Sequence, residues 1–151
     1  AGKLRGSPDE DHLDELRQLI MWAEAHPDIP SVLTHALPSI HFNKDKPERF
    51  AIPDELFILM GFPNWHMELM LHLMAHDIEF PPYEPNLQKI VAQLVNHIGA
   101  DRLVWGSDMP ACERTVTYKQ SMILFQTQCD FLTDEQRDLI MGGNLSRLYP
   151  I

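Results

Sequence analysis

The strongest constraint on the fold of this 151-residue chain is its alternation of short apolar runs with segments of helical period. Three runs read as strands: Val32-Leu33-Thr34-His35, Trp65 to about Met70, and Leu103-Val104-Trp105 running into Gly106-Ser107-Asp108. Helical segments lie between and around them. Ser7-Pro8-Asp9-Glu10 has the order of an N-cap, a first-turn proline and a capping box, and Leu13, Leu16, Leu19, Ile20 and Ala23 follow on one face. Pro53-Asp54-Glu55 opens a short helix to about Met60. Leu87, Ile90, Val91, Leu94, Val95 and Ile98 form the cleanest amphipathic stripe, closed by Gly99. A helix over 117–131 carries Met122, Phe125 and Cys129 on one side. Thr133-Asp134-Glu135-Gln136 is a second capping box, its helix ends at Gly142-Gly143, and Asn144 is expected to cap a final turn. Residues 38–52 show no period and are expected to be loop. Strands separated by helices imply an α/β fold with parallel strands.

The segment from Trp65 is composed like a helix but patterned like a strand. Trp65, Met67 and Leu69 alternate with His66 and Glu68. Alternation decides for a strand to about Met70, with His66 and Glu68 on one face and loop beyond. His72 and His76 have the i, i+4 spacing of a metal pair only if that segment were helical.

Composition narrows the partners. The net charge of −10 opposes binding to a nucleic-acid backbone or an anionic membrane surface. No apolar run approaches the ~18 residues of a membrane span, and the first residues lack the apolar core of a secretory signal. Cys112 and Cys129 are too few for a disulfide framework and lack CxxC spacing. Both are expected to be reduced thiols in a cytoplasmic protein, with Cys112 serving packing.

Two strands end in a residue with ligand chemistry, His35 and Asp108. In parallel α/β folds, sites form at the carboxyl ends of strands. An imidazole and a carboxylate converging there suit zinc or another divalent ion, and equally suit general acid–base work. The 73 residues between them amount to two βα units of roughly 31 residues plus an inserted loop. Glu68 could orient a ligand or form an interior ion pair. Glu113 and Arg114 follow the last strand, where they could line a substrate mouth. Arg49 has the geometry for a carboxylate, or is a surface loop residue.

Leu103-Val104-Trp105-Gly106-Ser107-Asp108-Met109-Pro110 resembles the last-strand motif of the amidohydrolase-related, metal-dependent superfamily (the amidohydrolase 2 type), in the branch that also holds decarboxylases of unsaturated or aromatic acids. Val32-Leu33-Thr34-His35 resembles that branch's sixth-strand histidine, and Leu139 to Tyr149, with its Gly-Gly-Asn, resembles its C-terminal ending. Asn64 to Met70 would be the seventh strand.

The resemblance, over roughly residues 8–150, implies the C-terminal portion, about three βα units, of a (β/α)8 TIM barrel. It implies a hydrolase of a small amide, ester or lactone substrate, with a decarboxylase of a small acid as the alternative. Asp108 would be a metal ligand and base. His35 would be a ligand or the neighbouring acid–base group. The cofactor would be a divalent metal ion, zinc or else manganese, which lowers the pKa of water and polarises a carbonyl. Substrate binding would fall to Glu68, Glu113 and Arg114.

One departure from the pattern is plain. The family's first-strand His-x-His is absent from the sequence, so the ligand set is incomplete. Two further expectations follow. A part-barrel would self-associate or form a homo-oligomer through open strand edges. Alternatively, the chain is a catalytically silent fragment or interaction module, or a small self-contained α/β domain.

Overall fold

Leucine, methionine and β-branched residues at helical and strand spacing, punctuated by proline and glycine, set the element boundaries. The computed structural model describes residues 10–35, 41–43, 46–70, 85–114 and 116–150. The expected cap at Ser7 and the pair His72 and His76 lie outside the described residues, as do the side chains of Arg49 and Arg114.

Helix α1 spans Glu10–Ala25 and buries Leu16 and Ala23. Strand β1 is Ser31–Leu33. Where loop was expected, β2 (His41–Asn43) and β3 (Lys46–Ala51) pair as an antiparallel hairpin, with Phe42 opposite Phe50. The two strands hold few apolar residues in alternation, so backbone pairing defines them and no period-two signal betrays them. Helix α2 (Asp54–Met60) follows as expected from Pro53. Strand β4 is Trp65–Leu69, α3 is Pro85–Ile98, and β5 is Leu103–Trp105. Gly99 ends α3 with a φ of 95°, which an L residue with a Cβ adopts only under strain.

The C-terminal third is helical but uneven. Helix α4 (Tyr118–Ile123) starts at a Thr117 capping box and widens into a π-type turn over Leu124–Gln128. Helix α5 (Asp134–Asp138) starts at the expected Thr133–Gln136 capping box. A second π-type turn, Leu139–Gly143, leads into α6 (Asn144–Leu148).

Strands β1, β4 and β5 form one parallel sheet in chain order, β1-β4-β5. Leu33, Met67 and Leu103 stand in one row of the register, and Leu69 pairs with Trp105. These residues and Trp65 join the hydrophobic core. So do Leu56 and Leu59 of α2, the α3 stripe, and Leu124, Phe125 and Ile140. The alternate residues Val32, His66, Glu68 and Val104 do not. Among the described residues, the core-forming helices thus pack on one face of the sheet.

Two polar side chains lock this layer. Arg102, just before β5, donates to the carbonyl oxygens of Met60, Phe62 (2.7 Å) and Ile98 (3.4 Å). It thereby satisfies the C-terminal carbonyls of both α2 and α3. Asn144 does not cap α6 as expected: Gly143 holds the N-cap position, and Asn144 is the first residue of the helix. Its buried amide instead donates to the carbonyls of Ala100 (2.7 Å) and Leu103 (2.8 Å). The Gly-Gly-Asn sequence therefore pins the last helix to the root of β5.

Candidate active site

Because the three strands are parallel, their carboxyl ends lie together, and the chain changes direction there on left-handed residues. His35, two residues beyond β1, has a φ of 56°, and Asp108, three beyond β5, has a φ of 52°. Non-glycine residues take this conformation uncommonly, and such positions cluster at functional sites. Outer strands with one strand between them are roughly 9.6 Å apart. Even so, His35 Nε2 lies 4.0 Å from Asp108 Oδ1. The two turns fold both side chains inward across the end of β4.

Local bonds fix the Asp108 turn. Its carbonyl accepts the Cys112 N–H at 2.9 Å, and the Met109 N–H reaches Ser107 Oγ at 3.4 Å. Asp108 is largely sheltered, with a side chain 20% exposed, whereas the His35 side chain is 62% exposed. The carboxylate is the more enclosed of the two groups.

Glu68 lies on the non-core face of β4, as the alternation predicts, in register with Val104. Its side chain reaches Gly106: a Cβ built there would meet the Glu68 carboxylate. Glu113 is exposed in the 3-10 turn Ala111–Arg114 that follows Asp108. Cys112 is buried and donates its S–H to Met109 Sδ at 3.1 Å. Burial, with the nearby Glu113 and Asp108 charges, pushes its thiol pKa up, so it packs and does not act as a nucleophile. Burial likewise pushes Cys129 up to about 12.

Sequence reasoning missed Gly106. A glycine at a strand end can mark a close approach by another group, but which group approaches depends on the reach of Glu68.

His66 sits two residues before Glu68 on the same face. Burial, and next the Arg102 charge, hold its pKa below the ordinary imidazole value of 6.5, against a smaller opposing pull from Asp101. The folded chain therefore binds this proton more weakly than the unfolded chain. The resulting stability is complete above about pH 6.5 and is lost as the pH falls through that value towards the lowered pKa. We expect the midpoint of urea unfolding to fall between pH 7 and pH 5 in the parent chain, and to fall less in His66→Gln. Equal slopes would remove His66 as the cause.

Can the site hold a metal? Zinc ligands at about 2.0–2.2 Å in a tetrahedron stand about 3.3–3.6 Å apart. The exposed His35 ring needs only a small rotation to close to that spacing. The donor types, an imidazole nitrogen and a carboxylate oxygen, also fit. Among the described residues, no group of three or more His, Cys, Asp or Glu side chains converges as a metal cluster. As donors, the pair falls one short of the three protein ligands usual for catalytic zinc.

The amidohydrolase family model matches residues 10–151. The chain belongs to the amidohydrolase family. Among solved structures, this amidohydrolase chain is similar to an amidohydrolase from Burkholderia multivorans with bound zinc, at 20% identity and a TM-score of 0.74. The alignment covers 92% of this chain and 50% of that one. A second structure of an amidohydrolase from Burkholderia multivorans, with bound HEPES, matches at 19% identity and a TM-score of 0.72, again over 92% and 50%. Amidohydrolase 2 from Bifidobacterium longum subsp. infantis matches at 15% identity and a TM-score of 0.58, over 91% and 46%. The chain thus spans about half the length of these structures, whose likeness is one of fold. No curated protein sequence matches. No helix among the described residues is long and apolar enough to cross a membrane.

Proposed function

We propose that this amidohydrolase chain is the C-terminal, three-unit portion of a (β/α)8 barrel. On this reading it contributes Asp108 and His35 to a divalent-metal hydrolytic site. The observation that carries the proposal is the 4.0 Å approach of His35 and Asp108 on two left-handed turns at the carboxyl edge of the sheet. The helix layer on a single face supports the barrel.

Asp108 and His35 would hold a zinc ion, or a manganese ion in its place, together with ligands from outside the described residues. Bound there, the cation polarises a carbonyl and renders water acidic enough to react near neutrality. Asp108, the more sheltered group, would accept the proton of the attacking water. His35, the more exposed, would pass a proton to the leaving group. The substrate is a small molecule with an amide, ester or lactone carbonyl. Glu68, Glu113 and Arg114 would line its mouth. Membership of a family named for amide hydrolysis favours this reading over decarboxylation. The outer edges of β1 and β5 have no strand partner among the described residues. Such edges are templates for pairing, and we assign self-association to them. The two free, buried thiols fit a reducing, cytoplasmic setting.

The test is zinc affinity, measured by competition with a chromophoric chelator. Loss of one of two charge-bearing or nitrogen ligands weakens zinc binding at least roughly tenfold. Asp108→Asn and His35→Ala should each show that loss with unchanged circular dichroism. Zinc affinity indifferent to both substitutions would sink the metal site, and would favour a catalytically silent module.

A further inference from the structure

Side chains on a strand lean along the strand, and a long one reaches its diagonal neighbour on the next strand. Glu68 of β4 is opposite Val104 of β5, and Gly106, one residue past the end of β5, is the next position of that alternation. The Gly106 N–H bonds to the Leu69 carbonyl at 3.3 Å, so backbone pairing continues to this point. A Cβ on Gly106 would stand 1.9 Å from Glu68 Oε1, 2.5 Å from its carboxyl carbon and 2.7 Å from its Cγ. The whole end of the glutamate therefore lies across the bare Cα of Gly106, two residues before Asp108.

The backbone does not require glycine here. The φ of Gly106 is outside the left-handed range, unlike that of Gly99. What requires glycine is the space that Glu68 fills.

We infer that Gly106 is a positioning residue. Its missing side chain is the slot that holds the Glu68 carboxylate at the site end of the sheet, beside the Asp108 turn. The inference rests on the proposed site only in giving Glu68 a task there. The slot itself stands on the geometry of β4 and β5. Glu68 acts through its charge and placement, and Gly106 acts through Glu68.

The colliding atoms belong to the tip of a flexible side chain, so Gly106→Ala should displace the carboxylate and leave the sheet intact. The experiment is a double-mutant cycle with Gly106→Ala, Glu68→Ala and their combination, with Glu68→Gln as the shape-matched control. Thermal midpoint and zinc affinity are both read. Gly106→Ala should lower Tm while Glu68 is present. In the Glu68→Ala background it should leave Tm unchanged or raise it, since alanine stiffens the unfolded chain where the native backbone accepts it. Glu68→Gln keeps the collision, so Gly106→Ala should still lower Tm there.

For zinc, moving one nearby carboxylate is worth roughly three- to tenfold in affinity at a half-exposed site. Glu68→Ala and Gly106→Ala should each show that loss, and the double variant should be no weaker than either alone. Equal Tm loss from Gly106→Ala with and without Glu68 overturns the slot. So does full zinc affinity in Gly106→Ala when Glu68→Ala weakens it. If the parent chain binds no zinc, the proposed metal site fails, and the Tm cycle still decides the slot.

Discussion

Asn144→Ala should destabilise the chain by about 3 kcal/mol. Two hydrogen bonds to the Ala100 and Leu103 carbonyls are lost at a buried site, each worth about 1 kcal/mol net, and a void and two deprived carbonyls add to the loss. For a domain of this length the fall in Tm is about 6–12 °C. Asn144→Asp is the sharper variant. It replaces the donating amide with a carboxylate that faces two carbonyl oxygens, so at pH 7 it should be less stable than Asn144→Ala. It should recover part of the difference as the pH falls and the carboxyl regains a donor. A thermal melt of both variants at pH 7 and pH 5 checks the order. An alanine variant within 1 kcal/mol of the parent would mean that Asn144 does not pin α6 to β5.

Arg102→Met should cost a similar amount, about 3 kcal/mol. The guanidinium serves carbonyls of Met60, Phe62 and Ile98 at the ends of two helices. A partly buried carbonyl left without a donor costs about 1 kcal/mol or more. Arg102→Lys should recover less than half of the loss, because an ammonium is a compact point charge and cannot spread over three acceptors on two helices. Urea melts give the comparison. The midpoint should fall with an unchanged slope, since the substitution alters stability and not the surface exposed on unfolding. Full recovery by lysine would show that charge near the helix ends matters and the fork does not.

Much of this fold is legible in the sequence because its elements are periodic. Leu87, Ile90, Val91, Leu94 and Ile98 of the α3 stripe are buried as the spacing says, and Val95 is half-buried beside them. The alternation of Trp65, Met67 and Leu69 with His66 and Glu68 outweighs a helix-like composition, because core packing on one face decides. The β2–β3 hairpin is illegible for the opposite reason: no apolar alternation marks it. Asn144 misleads because an asparagine after two glycines looks like a helix cap, and only tertiary contact shows that its amide is spent on β5.

In the site, residue type and place at strand ends single out His35 and Asp108. Their 4.0 Å approach depends on left-handed backbone at both, which an aspartate tolerates and a histidine does not announce. Gly106 shows itself only once the reach of Glu68 is known.

The order β1-β4-β5 has a consequence for how the molecule assembles. Each strand joins the one before it across its own crossover helix, so the sheet can grow by short steps with little loop entropy to overcome at each. His35 and Asp108 hang from its two outermost strands. Neither step alone brings them together, and their meeting is a by-product of the sheet's completion. A spectroscopic pair placed at 35 and 108 would therefore come into range only when all three strands are paired, making the carboxyl edge the clock of the whole sheet.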